Sequence, residues 1–286
     1  MKIIILGSNG FIGNYFYKFL QNRNCEVNAV NRTDCNLLDK DAFYSLLKES
    51  NANYIINCAG YTGKPNVDAC ETDKQACWQG NVTIAKYLSD ICGSLNAKYI
   101  QVSSGCVYSG TKGLNGFTEE DEPNFCFDHQ PCSYYSGTKA VMEDLLKKDP
   151  NAYLCRLRIP FNHLSTPKNY ITKLINYNTL LDAENSLTNI DEFVEACYYL
   201  IAKGCDTGIY NITNTGSITT KQVTKLINKY ITDKKFSFFE SEEEFYSSAA
   251  KTPRSNCILD NSKLRRTGFD IKNIEVSIEQ SIKNYK

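Results

Sequence analysis

The 286-residue chain has no surplus of charge, since 32 Lys and Arg stand against 32 Asp and Glu. Without a basic excess it offers no electrostatic footprint for nucleic acid. Without a basic amphipathic stretch it offers none for a membrane surface. It also lacks any Cys-x-x-Cys pair, although it has 13 cysteines. An odd number at irregular spacing argues against a disulfide framework and against a structural zinc site, so no metal is expected. Most of these thiols read as small buried hydrophobes in a reducing compartment. The N-terminal segment has one lysine and a four-residue apolar run, too short for a signal peptide or a membrane span. A soluble cytoplasmic protein is expected. Internal repeats and low-complexity linkers are absent too. No sequence patch marks an interface, and a homodimer is left open.

What the chain does have is alternation. Lys2–Leu6 is a continuous apolar run, the mark of a strand buried on both faces. It leads into Gly7-Ser8-Asn9-Gly10-Phe11-Ile12-Gly13, after which Tyr15, Phe16, Phe19 and Leu20 recur at helical spacing. Further strands are expected at Glu26–Val30 and Tyr54–Asn57, at a segment ending on Ser103, and at Tyr153–Leu157. Helices are expected at Lys40–Glu49, up to Cys92, and at Tyr135–Lys148, and Cys58–Asp73 reads as a loop. Alternating strands and helices predict an α/β fold with a Rossmann-like, doubly wound parallel sheet. After Pro160 the rhythm becomes less regular. Residues 1–160 are expected to form the dinucleotide-binding domain. Residues 161–286 are expected to form most of a smaller, interleaved substrate domain, with a helix at Asp191–Lys203 and a strand at Gly208–Thr213 returning to the main sheet.

The motif Gly7-x-x-Gly10-x-x-Gly13 lies between the first strand and the first helix. Gly7 permits a tight turn, Gly10 lets the backbone approach a pyrophosphate, and Gly13 allows close packing. The phosphates would sit at the helix start, where free N–H groups and the helix dipole favour anions. Asn9, Phe11 and Ile12 belong to the same candidate cofactor turn. NAD-binding strands usually end on Asp or Glu for the ribose hydroxyl, whereas this one ends Val30-Asn31-Arg32-Thr33. Arg32 suits a 2′-phosphate, so NADP(H) is the expected cofactor.

Tyr135 and Lys139 are four apart on an expected helix and therefore share a face. A neighbouring ammonium is expected to lower the phenol's pKa from about 10, so that it exchanges protons at neutral pH. Lys139 would also hold the nicotinamide ribose. Ser104, at a strand end, would hydrogen-bond the substrate oxygen beside Tyr135. Cys106 lies two residues further on. If the chain stays extended there, its thiol shares the face of Ser104.

The chain resembles the extended short-chain dehydrogenase/reductases. Within them it resembles the bifunctional UDP-4-keto-6-deoxyglucose 3,5-epimerase/4-keto-reductases and, more distantly, the dTDP-4-dehydrorhamnose reductases. The resemblance spans almost the whole chain. It rests on Asn57-Cys58-Ala59-Gly60, Gly63-Lys64-Pro65-Asn66-Val67-Asp68, Cys70-Glu71, Gly105-Cys106-Val107-Tyr108 and Glu119-Glu120-Asp121-Glu122-Pro123-Asn124-Phe125. It continues through Arg158-Ile159-Pro160, Asn169-Tyr170-Ile171-Thr172-Lys173 and Pro253-Arg254-Ser255-Asn256. Three positions depart from the family: Ser8-Asn9 replaces Lys-Thr in the glycine turn, and Tyr170 stands in place of Phe.

The resemblance implies that Cys58, Ala59 and Gly60 line the cofactor. It further implies a nucleotide-diphosphate keto-sugar substrate made by a separate 4,6-dehydratase. A ketone at carbon 4 accepts hydride and also acidifies the C–H bonds at carbons 3 and 5. Cys106 is implied as the base of an epimerisation and Lys173 as the proton donor on the opposite face, with the order open to reversal at one of the two carbons and His163 a rival acid. Thr62, Asn66 and Asn162 are candidate sugar contacts, and Arg254 is a candidate diphosphate clamp. The expected activity is NADPH-dependent 3,5-epimerisation and 4-keto reduction of UDP-4-keto-6-deoxy-D-glucose to UDP-L-rhamnose. The alternatives are a dTDP-4-dehydrorhamnose reductase that performs the reduction alone, and a non-catalytic NADP-binding regulatory subunit.

Overall fold

A computed structural model describes residues 1–64 and 66–286. Pro65, part of the Gly63–Asp68 motif, lies outside the described residues. Five strands fall where the alternation places them: β1 (Lys2–Leu6), β2 (Glu26–Val30), β3 (Tyr54–Asn57), β4 (Lys98–Ser104) and β5 (Ala152–Leu157). A sixth, β6 (Gly208–Asn211), comes from the second half of the chain. The six pair side by side in the order β6-β5-β4-β3-β1-β2, and each pairing is parallel.

Strand residues alternate between two cores, as the period of two requires. Ile3, Ile5, Ile56 and Ile100 face α1 (Phe11–Gln21) and the later helix Ile190–Ala202, through Phe16, Leu20, Phe193 and Leu200. Ile4, Leu6, Ile55 and Leu154 face α2 (Lys40–Ser50), α3 (Ile84–Leu95) and α4 (Tyr134–Leu146), through Phe43, Leu88 and Met142. A third core of Phe161, Ile171, Leu174, Ile218, Val223 and Ile278 joins the short helix Tyr170–Asn176 to the C-terminal elements.

Two local expectations change. The segment Cys58–Asp73 is not all loop, because Ala69–Thr72 forms one helical turn. The chain also does not stay extended past Ser104. It tightens into a 3-10 turn, Gly105–Val107, in which the Cys106 N–H donates to Ser104 Oγ at 3.3 Å. A serine hydroxyl that caps its own following turn ends the strand. The argument that Ser104 and Cys106 share a face because both are extended therefore fails, although the turn still folds the thiol back toward that hydroxyl.

No helix among the described residues is long and apolar enough to cross a membrane. All thirteen cysteines are free, most of them buried.

Candidate active site

The glycine turn has the shape of an anion cradle. Gly7 sits at φ +78°, in the left-handed region that favours glycine. A Cβ on Gly13 would come within 2.2 Å of the Gly7 carbonyl oxygen, and one on Gly10 within 3.0 Å of the same atom. Gly13 therefore lets α1 close onto the turn itself. No side chain caps the start of α1 and its first turn carries no acid, which leaves the opening N–H groups for a ligand.

At the end of β2, Asn31 occupies the position where an acid would take a ribose hydroxyl. Its Oδ1 accepts from Ser8 Oγ (2.9 Å) and from Asn9 N–H (2.8 Å), so it shapes the turn. Asp34, the nearest acid, accepts from Asn31 N–H at 2.7 Å. Arg32 is exposed, and among the described residues no carboxylate lies within ion-pair distance of it. These features fit NADP(H).

The second cofactor segment lies directly behind the first. A Cβ on Gly7 would stand 3.0 Å from Ala59 N, and Cys58 N–H donates to the Leu6 carbonyl at 3.0 Å. A Cβ on Gly60 would stand 3.9 Å from Lys139 Nζ. The line from the glycine turn through Cys58, Ala59 and Gly60 thus ends at the lysine of the Tyr-x-x-x-Lys motif.

Tyr135 and Lys139 occupy the first two turns of α4, whose N-terminus is capped by the Ser133 hydroxyl accepting from Ser136 N–H at 3.1 Å. Lys139 is 6% exposed, and its Nζ lies 5.9 Å from the Tyr135 ring centroid. It donates to the Val102 carbonyl at 3.5 Å. Burial pushes its pKa down, while Cys106, Glu143 and Cys77 pull it back up. The Tyr135 phenol moves opposite to expectation. Burial drives its pKa well above the usual value, the neighbouring Cys106 and Cys70 add to the rise, and Ser104 opposes it. The ammonium is itself buried and lies over the ring face, so its field does not outweigh desolvation. The phenol rests protonated.

Cys106 is 7% exposed, and its surroundings are polar. Burial raises its pKa, and the Ser104 and Ser136 hydroxyls, Arg158 and Lys139 lower it. Lys173, on Tyr170–Asn176, has its pKa lowered by burial first and then by the charges of Lys168 and Arg254. Both shifts favour neutral forms, a thiol and an amine.

The remaining candidates divide. Arg254 Nη2 stands 2.8 Å from Asp68 Oδ1 without hydrogen-bond alignment, because that buried oxygen accepts no hydrogen bond. Arg254 Nη1 is likewise buried with no partner. This arginine lines a cleft of about 780 Å³ together with Ser109, Asp182, Tyr246, Thr252 and Asn256, and the lining of that cleft does not reach Ser104 or Tyr135. Thr62 is exposed. Asn66 is exposed too, and its Oδ1 accepts from Asp68 N–H at 2.8 Å, so it anchors a turn. Asn162 has no exposed surface. Its Oδ1 accepts from Leu164 N–H, Asn169 Nδ2 and the Tyr15 hydroxyl, while its Nδ2 is buried with no partner. His163 Nδ1 lies 3.8 Å from Asp191 Oδ2.

Three supporting groups were not read from the sequence as site residues. Glu143 is one further helical step along the Tyr135–Lys139 stripe, and it accepts from Ser103 Oγ (2.6 Å) and from Arg156 Nε and Nη2 (3.0 and 2.7 Å). The i, i+4, i+8 spacing was the available signal. Asn81, within a single π-helical turn at Gln79–Thr83, holds the Tyr61 backbone through both its amide atoms. Glu71 Oε1 accepts from Tyr134 N–H (2.7 Å) and from Thr252 Oγ1 (2.8 Å), tying the start of α4 to the loop that carries Arg254. Among the described residues no His, Cys, Asp and Glu cluster is arranged to hold a metal ion.

Comparison with known proteins gives a consistent picture. The family described as the RmlD substrate binding domain matches residues 1–286. The bifunctional dTDP-4-dehydrorhamnose 3,5-epimerase/dTDP-4-dehydrorhamnose reductase of Arabidopsis thaliana is 33% identical over 97% of this chain and 91% of its own length. A trifunctional UDP-glucose 4,6-dehydratase/UDP-4-keto-6-deoxy-D-glucose 3,5-epimerase/UDP-4-keto-L-rhamnose-reductase of the same plant is 31% identical over 97% of this chain, which spans only 41% of that longer protein. Among solved structures, the L780 UDP-rhamnose synthase from Acanthamoeba polyphaga mimivirus superposes with a TM-score of 0.91 at 24% identity, covering 99% of each chain.

Proposed function

We propose a function from one premise: this chain belongs to the RmlD substrate-binding-domain family, as an oxidoreductase of the dTDP-4-dehydrorhamnose reductase kind. Its reaction is the 3,5-epimerisation and 4-keto reduction of UDP-4-keto-6-deoxy-D-glucose to UDP-L-rhamnose, with NADPH as reductant. The observation that carries this reading is the convergence of four groups in one polar spot. The Ser104 hydroxyl opposes the burial of both the Tyr135 phenol and the Cys106 thiol, and Lys139 faces that same thiol.

When bound, NADPH supplies the hydride that reduces the ketone. Ser104 holds the ketone oxygen by donating a hydrogen bond, and Tyr135, resting as a protonated phenol, gives that oxygen its proton. Lys139 holds the nicotinamide ribose and steadies the phenolate that remains. The same grip stabilises the enolate oxygen formed when a C–H bond beside the ketone ionises. The epimerisation pair is Cys106 and Lys173. Cys106 serves as base on one face of the ring and Lys173 as proton donor on the other, in an order that can reverse at one of the two carbons. Arg254 leaves its poorly aligned contact with Asp68 for the diphosphate.

The test is solvent-isotope incorporation. Cys106→Ser is expected to slow deuterium entry into C3 and C5 of the keto-sugar by at least about 100-fold, while reduction of an already epimerised substrate is largely kept. Both the UDP and dTDP keto-sugars are supplied, with products identified by NMR. Unchanged deuterium uptake would leave a reductase alone, a reading favoured by the upward push that burial gives Cys106. NADPH binding with no consumption of any keto-sugar would leave a regulatory subunit.

Arg32 carries the cofactor preference. Arg32→Ser removes one charge-assisted contact to the 2′-phosphate, worth about 1.5–3 kcal/mol. NADPH affinity should fall by roughly 10- to 100-fold with NADH affinity unchanged, read by nucleotide-fluorescence titration. An equal loss for both nucleotides would mean that Arg32 does not contact the phosphate.

A further inference from the structure

Arg158 is an enclosed cation without an acid. It is 6% exposed. Two residues earlier, the equally enclosed Arg156 is neutralised by Glu143 at 2.7 Å. Among the described residues, Arg158 meets no carboxylate within ion-pair distance. Its Nη2 donates to Asn185 Oδ1 at 2.7 Å and to the Ser255 carbonyl, both neutral acceptors. Its Nε is buried with no partner. Removing a guanidinium from water without a counter-charge is strongly unfavourable, and a site that tolerates it gains when an anion forms beside it.

The position of the side chain identifies that anion. A Cβ on Gly105 would lie 3.5 Å from Arg158 Cδ, so the arginine stem lies against the turn that carries Cys106. The backbone is strained at the same point. Ile159, β-branched and followed by Pro160, sits at φ +37°, where the side chain and the proline both disfavour it. Strain of this kind persists where the surrounding structure fixes a functional geometry.

We propose that Arg158 is a positioning residue for proton transfer at Cys106, its guanidinium holding the negative charge left on sulfur when the thiol gives up its proton. The proposal rests on the epimerase half of the function given above. When the thiol protonates a ring carbon, a C–H bond forms from the enolate electrons, and the S–H electron pair stays on sulfur as thiolate. In the opposite direction the thiolate takes the proton, and the C–H pair passes to the C4 oxygen. The other groups facing this thiol are the Ser104 and Ser136 hydroxyls, Tyr135 and Cys132, and the Lys139 ammonium. Lys139 is shared with Glu143 and Cys77, whereas Arg158 has no such competitor.

The test needs no sugar. The rate at which iodoacetamide alkylates Cys106 at pH 8, followed by mass spectrometry of the Cys106 peptide, reports the thiolate fraction. Arg158→Gln is expected to slow it by about tenfold, and Arg158→Lys, which keeps the charge, to stay within about threefold of the wild type. A wild-type rate no faster than that of Arg158→Gln overturns the proposal. So does a tenfold loss in Arg158→Lys, which decides the matter even if the glutamine variant does not fold. If these rates behave as expected while no deuterium enters C3 or C5, the epimerase reading fails and the electrostatic role of Arg158 stands.

Discussion

Tyr135→Phe is expected to reduce the rate of NADPH-dependent ketone reduction by about 10²- to 10⁴-fold, the range lost when a positioned general acid is removed. The ring still fits, so the protein should fold and bind NADPH as before. Only the proton for the substrate oxygen is missing. The raised phenol pKa is central to this expectation. A phenolate at neutral pH would have nothing to give, whereas a half-buried, protonated phenol does. Stopped-flow loss of NADPH absorbance under saturating keto-sugar measures the effect. Deuterium entry at C3 and C5 should fall far less, because Ser104 still grips the oxygen when the adjacent C–H ionises. A Phe variant that reduces the ketone at the wild-type rate would remove Tyr135 from the chemistry.

Glu143→Gln is expected to cost about 3–5 kcal/mol of stability, the usual penalty for leaving a buried charge without its partner. Glu143 and Arg156 side chains are only 3% and 2% exposed, and the pair is bidentate. The variant would leave a guanidinium sealed behind β4 and α4 with a neutral amide in front of it. The midpoint of thermal unfolding should drop on the order of 10 °C. The double variant Glu143→Gln with Arg156→Met should recover most of the loss, because removing both charges also removes the desolvation cost. A single variant as stable as the wild type would show that water reaches the pair. Ser103 adds a second consequence. It donates to Glu143 next to Ser104, so this variant should also disturb the oxygen grip.

The parallel sheet was legible because strands buried on both faces leave continuous apolar runs such as Lys2–Leu6 and Tyr54–Asn57. The glycine spacing was legible for a steric reason, since a Cβ at Gly13 has no room. That Tyr135 and Lys139 share a helix face was legible from their spacing of four. Other features depend on contacts that no local pattern records. The tight turn after Ser104 is set by a serine capping its own neighbours. Arg158 resembles any strand-end arginine until its lack of an acid is seen in three dimensions. The pKa shifts of Tyr135, Cys106 and Lys173 take their direction from burial before charge, and burial is the property that spacing predicts least well. Asn162, read as a sugar contact, is fully buried with its Oδ1 occupied and its Nδ2 without a partner, and neither property shows in a local pattern. Glu71 and Asp68 lie three residues apart in the chain, but their partners Thr252 and Arg254 are some 180 residues away in sequence.

The outermost strand on one side of the sheet, β6, lies beside β5 although about fifty residues separate them, and Ile190–Ala202 covers one face of strands made far earlier. During synthesis, the first two-thirds of the polypeptide would therefore emerge with a bare edge and an uncovered greasy flank. Such a chain gains little by committing early. It should stay protease-sensitive, and a client for chaperones, until residue 211 has left the ribosome.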